Sequence, residues 1–251
     1  MKTAALGKTR EHEHSYRYSH FTTRLLLADL RFSSRAPQPG EPFPAFDLAA
    51  IDGERLRSEE LIGRPFVVIL GSLTCPMTAS AAVTLRELYE RMGSAVTFVS
   101  VYAREAHPGE QIPQPRAIAE KLAHAQALAE RDRYRWHVAV DDLDGTLHRL
   151  LDAKPNAAYV VDARGRIAFR SLWASDQESL RRALESVASG EQPRRRTSRA
   201  MTMPMMRALP WVDAIVLRAG RSASRDLWRA APPMALMGKL GRWWRRSTPA
   251  A

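Results

Sequence analysis

The stretch GSLTCPM (71–77) holds Cys75, the single cysteine of the chain. A lone thiol has no internal disulfide partner and cannot build a thiolate-rich zinc site. Two roles remain for it, a small buried hydrophobe or a reactive nucleophile. Its neighbours bear on the choice. Thr74 and Ser72 bring hydroxyl donors, and Pro76 suits the first position of a helix. A cysteine just before a helix meets unpaired backbone N–H groups and the positive end of the helix dipole. Both favour thiolate over thiol, and the thiolate is the form that attacks. The expectation is a thiol of lowered pKa, with a buried structural cysteine as the alternative.

The elements around Cys75 must put it at an accessible edge. FVVIL (66–70) is a continuous β-branched run between Gly63 and Gly71, the pattern of a central buried strand. A helix is expected from Pro76 to Gly93, then a strand over 96–102, a helix over 116–134 and a strand over 136–142. GTLHRLLDA reads as a short helix. NAAYVVD and RIAFRSLW read as an antiparallel hairpin, followed by a helix that Ser175 and Asp176 start. Upstream, AFDLAAIDGERLRS reads as a hairpin turning at Asp52-Gly53, and FTTRLLLADLRF as a short helix. This order predicts an α/β fold, a mixed sheet flanked by helices, parallel in its first part. Cys75 then lies in the crevice at the carboxyl ends of the strands, where open α/β sheets bind ligands.

Composition separates two objects. The chain has 251 residues with 45% hydrophobic and 26% charged content, enough for a packed core with extensions. Of its 38 basic and 27 acidic residues, 13 and 2 fall in 192–251, so this segment carries the whole net charge of +11. The expected organisation is an extension over 1–36, a domain over 37–190, a basic linker over 191–200 and a Met/Trp-rich tail over 201–251. No stretch has the length of a membrane-spanning helix. The N-terminus MKTAALGKTREHEHSYRYSH carries charge where an export signal carries an apolar core; with one cysteine, this points to a reducing cytoplasm.

The frame PGEPFPAFDL, DG, GRPFVVIL and a cysteine before a helix resembles the thioredoxin-like redoxins, a superfamily that includes the peroxiredoxins. Two stretches are more specific. GSLTCP (71–76) is similar to the active-site motif of iodothyronine deiodinases, with Cys75 where that family has selenocysteine. VYAREAHPGE (101–110) is similar to that family's second motif. The resemblance covers about residues 37–190. It implies a thioredoxin-like fold, Cys75 as nucleophile, His107 as the active-site histidine and Glu105 as its acidic neighbour. Position agrees: both follow the second central strand, on the edge that carries Cys75. An imidazole there can hold a thiolate as an ion pair or deliver a proton.

The departures narrow the chemistry. Leu73 stands where the deiodinase motif commonly has a second cysteine. Cys75-Pro76-Met77-Thr78 is not a Cys-x-x-Cys, which excludes dithiol exchange within the chain. A one-cysteine cycle remains, in which the thiolate attacks a peroxide or a halogenated aromatic and an external thiol such as thioredoxin or glutathione resets it. No bound cofactor or metal is expected. Where the peroxiredoxin pattern Pro-x-x-x-Thr-x-x-Cys has proline and threonine, this chain has Val68 and Ser72; serine can replace threonine but valine does not replace proline, so the deiodinase branch fits better and the thiol peroxidase is the alternative. Pro155 stands one residue before the place where thioredoxin-like folds carry a cis-proline. Glu11, His12, Glu13 and His14 read as an exposed polar start. His20, His124, His137 and His148 read as structural.

The tail holds six of nine Met and four of six Trp, interleaved with arginine. WVDAIVLRAG, SRDLWRA and MALMGKLGRWWRR read as amphipathic helices, the last with Met234, Met237, Leu240 and Trp244 on one face. Three occupants suit such faces: the domain itself, an anionic membrane surface, or a partner protein. Nothing reads bases, so no specific nucleic acid partner is expected. A non-catalytic redoxin-fold module working through this tail is the reading of a different class.

Overall fold

The computed structural model describes residues 16–247, and side chains as far as residue 242. The Glu11–His14 stretch and the Trp244 side chain lie outside the described residues.

β3 (Phe66–Gly71) is buried along its whole length because both of its faces are covered. Phe66, Val68 and Leu70 enter one apolar cluster, and Val67 and Ile69 another, the two-residue period of a strand. β3 pairs in parallel with β4 (Thr97–Tyr102), and β4 in parallel with β5 (His137–Val140). On its other side β3 pairs antiparallel with β6 (Ala158–Val161), and β6 with β7 (Ile167–Ser171). The hairpin of β1 (Asp47–Ala50) and β2 (Arg55–Arg57) adds antiparallel to β5.

Residues 191–200, expected as a linker, contain β8 (Thr197–Ser198), parallel to β7. Arg170 N–H donates to Arg196 O at 3.1 Å and Leu172 N–H to Ser198 O at 3.2 Å. The chain thus covers backbone groups that the free edge of β7 would leave unpaired. The sheet has eight strands in the order β2-β1-β5-β4-β3-β6-β7-β8, the expected mixed α/β sheet with one more strand.

Among the described residues, five α-helices precede the tail: α1 (Thr23–Asp29), α2 (Pro76–Met92), α3 (Ile118–Asp132), α4 (Thr146–Leu150) and α5 (Gln177–Ala188). α2 lays Ala81, Leu85, Leu88 and Met92 against the sheet and α5. Asp176 is the N-cap of α5, yet its side chain makes no capping bond; it accepts the Ser198 hydroxyl and ties β8 down instead.

The tail folds back on the domain as α6 (Thr202–Ala219), α7 (Arg221–Ala230) and α8 (Pro232–Ser247). α6 packs along α2 and against α8. Consequently residues 76–82 of α2 are buried all round, as a helix covered on every side must be. Arg207 donates to Ser175 O at 2.9 Å, and Trp173 Nε1 to Met201 Sδ at 3.2 Å. The N-terminal segment joins this layer: Phe21 packs with Val212, Val216 and Leu227, and His20 Nδ1 lies 2.9 Å from Asp226.

The expected apolar face of α8 is corrected. Ala231, Ala235 and Gly238 are buried, Met234 is half-buried, and Met237 and Leu240 are exposed. Close approach to α6 selects the small residues: a Cβ on Gly238 would sit 2.9 Å from Val212. Among the described residues, no helix is long and apolar enough to cross a membrane.

Candidate active site

Cys75 is the N-cap residue of α2, at the carboxyl end of β3, with Pro76 opening the helix. Gly71 makes the turn fit. A Cβ there would stand 2.9 Å from Thr78 Cγ2, so only glycine lets the strand end pass so close to the first helical turn. Cys75 is 2% exposed. It shares an apolar cluster with Phe32, Met77, Trp173 and Ala208, against which Met201 and Met205 of α6 also pack. The tail thus packs on the same core cluster and along the helix that Cys75 opens.

Burial decides the state of this thiol. It pushes the Cys75 pKa up, and the negative charge of Asp29 adds to the rise. Hydrogen bonds from the Thr78 side chain and from the backbone of Thr78 and Met77 pull it down. The net direction is upward, which corrects the expected lowering. The helix N-terminus supplies its donors as anticipated, but desolvation outweighs them while the cover is in place.

The hydroxyl near the thiol is also not the expected one. Thr74 Oγ1 donates to Glu105 Oε2 at 2.7 Å and accepts the His107 N–H at 3.1 Å. Its single hydrogen is thereby committed to the carboxylate. Ser72 Oγ accepts the Ala106 N–H at 3.2 Å. Both residues bind the cysteine loop to the loop after β4, and Thr78 is the residue whose side chain pulls the Cys75 pKa down.

Glu105 is fully buried and organises this junction. Oε2 accepts from Thr74 twice, backbone N–H at 3.1 Å and hydroxyl at 2.7 Å. Oε1 accepts the Tyr102 hydroxyl and lies 2.9 Å from His124 Nδ1. The Tyr102 oxygen in turn accepts the Leu73 N–H at 3.1 Å, and Arg131 donates to Leu73 O at 2.7 Å. A buried carboxylate persists only with such a set of donors. Glu105, expected as the acidic neighbour of His107, pairs with the His124 ring. That residue, first read as structural, belongs to the network at the site.

His107 lies on the expected edge of the sheet. Its ring rests against Phe21 with 4.2 Å between centroids. Nδ1 is buried and has no hydrogen-bond partner among the described residues. Burial lowers its pKa to about 4, so the imidazole is neutral at pH 7. With the thiol also neutral, the expected imidazolium–thiolate ion pair does not form in this covered state. The Pro155 peptide is trans. Asn156, next in the chain, donates from Nδ2 to Leu70 O at 3.1 Å, clasping the end of β3.

Thr78, Tyr102, His124 and Asn156 carried weak signals in the sequence. Thr78 falls one turn after the cysteine. His124 adjoins the buried stripe Lys121, Ala125 and Leu128 of α3. Tyr102 is the last residue of β4, TFVSVY.

Among solved structures, an uncharacterized conserved protein from Geobacillus kaustophilus matches with a TM-score of 0.51 at 20% identity, over 62% of this chain and 84% of that one. A candidate thiol:disulfide interchange protein, DsbE, from Chlorobium tepidum matches with a TM-score of 0.50 at 14% identity, over 61% of this chain and 99% of that one. At such identities the likeness shows the fold alone, and the fold is thioredoxin-like. The profile of the iodothyronine deiodinase family matches residues 12–188, a span that includes Cys75, Glu105, His107 and His124. This is well over half of the sequence, and the chain belongs to the iodothyronine deiodinase family.

Proposed function

We propose that the protein is a thiol-dependent reductive dehalogenase, with Cys75 as nucleophile and an iodinated aromatic as substrate. The observation that carries the reading is the lock between the two family motifs, in which Glu105 of the second motif fixes Thr74 beside Cys75. The apolar cluster to which Cys75 belongs, with Phe32 and Trp173 among its members, suits an aromatic ring.

The chemistry requires the cover to move. Desolvation keeps both Cys75 and His107 neutral, and it acts on them in opposite senses. Admitting water or a polar substrate lowers the thiol pKa and raises that of the imidazole. The thiol then loses its proton, and the imidazole gains one. The Thr78 side chain and the helix N–H groups hold the resulting thiolate. The thiolate attacks iodine; an S–I bond forms and the C–I bond breaks. The aryl carbon takes a proton from the imidazolium and leaves as the arene. A first external thiol attacks the sulfur of the sulfenyl iodide, releasing iodide and forming a mixed disulfide. A second external thiol resolves that disulfide and restores Cys75. One aryl iodide is reduced and two thiols are oxidised to one disulfide.

The test is iodide release from an iodophenol with dithiothreitol as donor, beside consumption of hydrogen peroxide under the same conditions. The reading expects thiol-dependent iodide release by the wild type and none by Cys75→Ser. Peroxide turnover alone makes the protein the one-cysteine thiol peroxidase. Absence of both activities, with cellular function retained by Cys75→Ser, makes it a non-catalytic module.

A further inference from the structure

The three tail helices expose a surface of unusual make-up. α8 docks through its small residues Ala235 and Gly238, with Ala231 buried just before it, and turns large apolar ones outward. Leu236 is 52% exposed, Met237 45% and Leu240 54%. At helical spacing these three lie within about 100° of one another. A helix held in place by packing alone normally buries such residues. The charges around them have one sign. Residues 201–242 contain two acids, Asp213 and Asp226, and both are buried: Asp213 pairs with Arg242 at 2.8 Å, and Asp226 faces His20 at 2.9 Å. Glu110, beside the start of α7, is occupied by the N–H groups of Arg221 and Ser222 and the Ser222 hydroxyl.

The cations point the other way. Arg218, Arg221, Arg225, Arg229 and Lys239 are all exposed, and none has an ion-pair partner among the described residues. Arg221, Arg225 and Arg229 recur every fourth residue, one stripe along α7. Lys239 Nζ lies 5.1 Å from the centre of the Trp228 ring. That contact joins the exposed side of α8, where Leu236 and Leu240 sit, to the edge of α7 beside Arg229.

We propose that this surface docks on an anionic lipid bilayer. Leu236, Met237 and Leu240 enter the headgroup boundary, and the arginines of α7 with Lys239 meet lipid phosphates. An amphipathic surface with outward apolar residues and only cationic exposed charge is what an anionic interface selects. A protein partner of ordinary make-up does not require the complete withdrawal of acids into buried pairs. The inference does not depend on the chemistry assigned to Cys75.

The experiment is co-sedimentation of the full chain with vesicles of phosphatidylcholine alone and of phosphatidylcholine containing phosphatidylglycerol, at low and high salt. Binding to the anionic vesicles, weakened by salt, is expected. The triple variant Leu236→Ser/Met237→Ser/Leu240→Ser should lose it at least tenfold. Arg225→Glu/Arg229→Glu should lose the preference for anionic lipid. All three positions of the triple variant are exposed, so its thermal unfolding should match that of the wild type. Three results overturn the proposal: no vesicle binding, equal binding by wild type and triple variant, or a dimer of the free chain, seen by light scattering, that the triple variant abolishes. The last would make a second copy of the chain the occupant.

Discussion

Glu105 and Thr74 are joined twice: the carboxylate accepts the threonine backbone N–H at 3.1 Å and its hydroxyl at 2.7 Å. This pair binds the loop before α2 to the loop after β4, and the position of Cys75 depends on it. Removing the carboxylate strands the Thr74 and Tyr102 donors in a buried site. Glu105→Ala is predicted to cost about 3–5 kcal/mol of stability, the usual price of breaking a buried ionic network, and to abolish activity. Glu105→Gln, which keeps volume and one acceptor, should cost less. Urea unfolding of the two variants checks this; a Glu105→Ala protein as stable as the wild type would contradict the assignment.

Thr78 is predicted to be the side chain that tunes the thiol. Thr78→Val removes the hydroxyl that pulls the Cys75 pKa down, at a stability cost of about 1 kcal/mol for a lost hydrogen bond. The pH profile of Cys75 alkylation should move to higher pH in Thr78→Val and stay in place in Thr78→Ser. Equal profiles for Thr78→Val and wild type would count against it.

Acid should destabilise the fold through His107. Its folded pKa is about 4, against about 6.5 for an unfolded chain. Between these values the unfolded state binds more protons. The contribution is therefore complete above about pH 6.5 and is lost as pH falls towards 4, a change on the order of 3 kcal/mol. His148, buried and held well below the ordinary imidazole range by desolvation, adds in the same direction. His107→Phe should flatten part of the slope, measured by urea unfolding at pH 7 and near pH 4.5. It also removes the unpartnered Nδ1, so its stability at pH 7 should not fall. An unchanged acid slope would rule out the neutral buried imidazole.

Access to Cys75 should be set by α6. Met201 and Met205 are half-buried on the cluster that contains the thiol. Truncating both to alanine removes about 1 kcal/mol of apolar contact each. Together, about 2 kcal/mol, that should speed alkylation of Cys75 by iodoacetamide roughly thirtyfold at fixed pH, an estimate from the conversion of free energy to population. An unchanged rate would mean that the thiol is reached by another route.

What the sequence made legible was local. Gly71 and Pro76 bracket the turn, so the place of Cys75 between strand and helix follows from their types. The order of elements follows from periodicity. The partners of the site do not. Whether Thr74 or Thr78 reaches the thiol depends on where the Glu105 carboxylate lies, and that depends on the parallel register of β3 and β4. His124 is ordinary on its helix until α3 brings it to Oε1. The raised pKa of Cys75 was out of reach for a stronger reason: its cause is burial in the folded core, which no pattern around residue 75 encodes. For the same reason β8 read as a linker, since two residues of edge pairing have no period to detect.

The central claim is that Cys75 itself takes the iodine. Reduced protein, freed of external thiol, should be mixed with excess iodophenol and the arene counted in a single turnover. The account predicts one equivalent of deiodinated product per chain, with iodide released only when thiol is added afterwards, and no product from Cys75→Ser. Product from Cys75→Ser, or none from a wild type whose Cys75 alkylates normally under the same conditions, would contradict it.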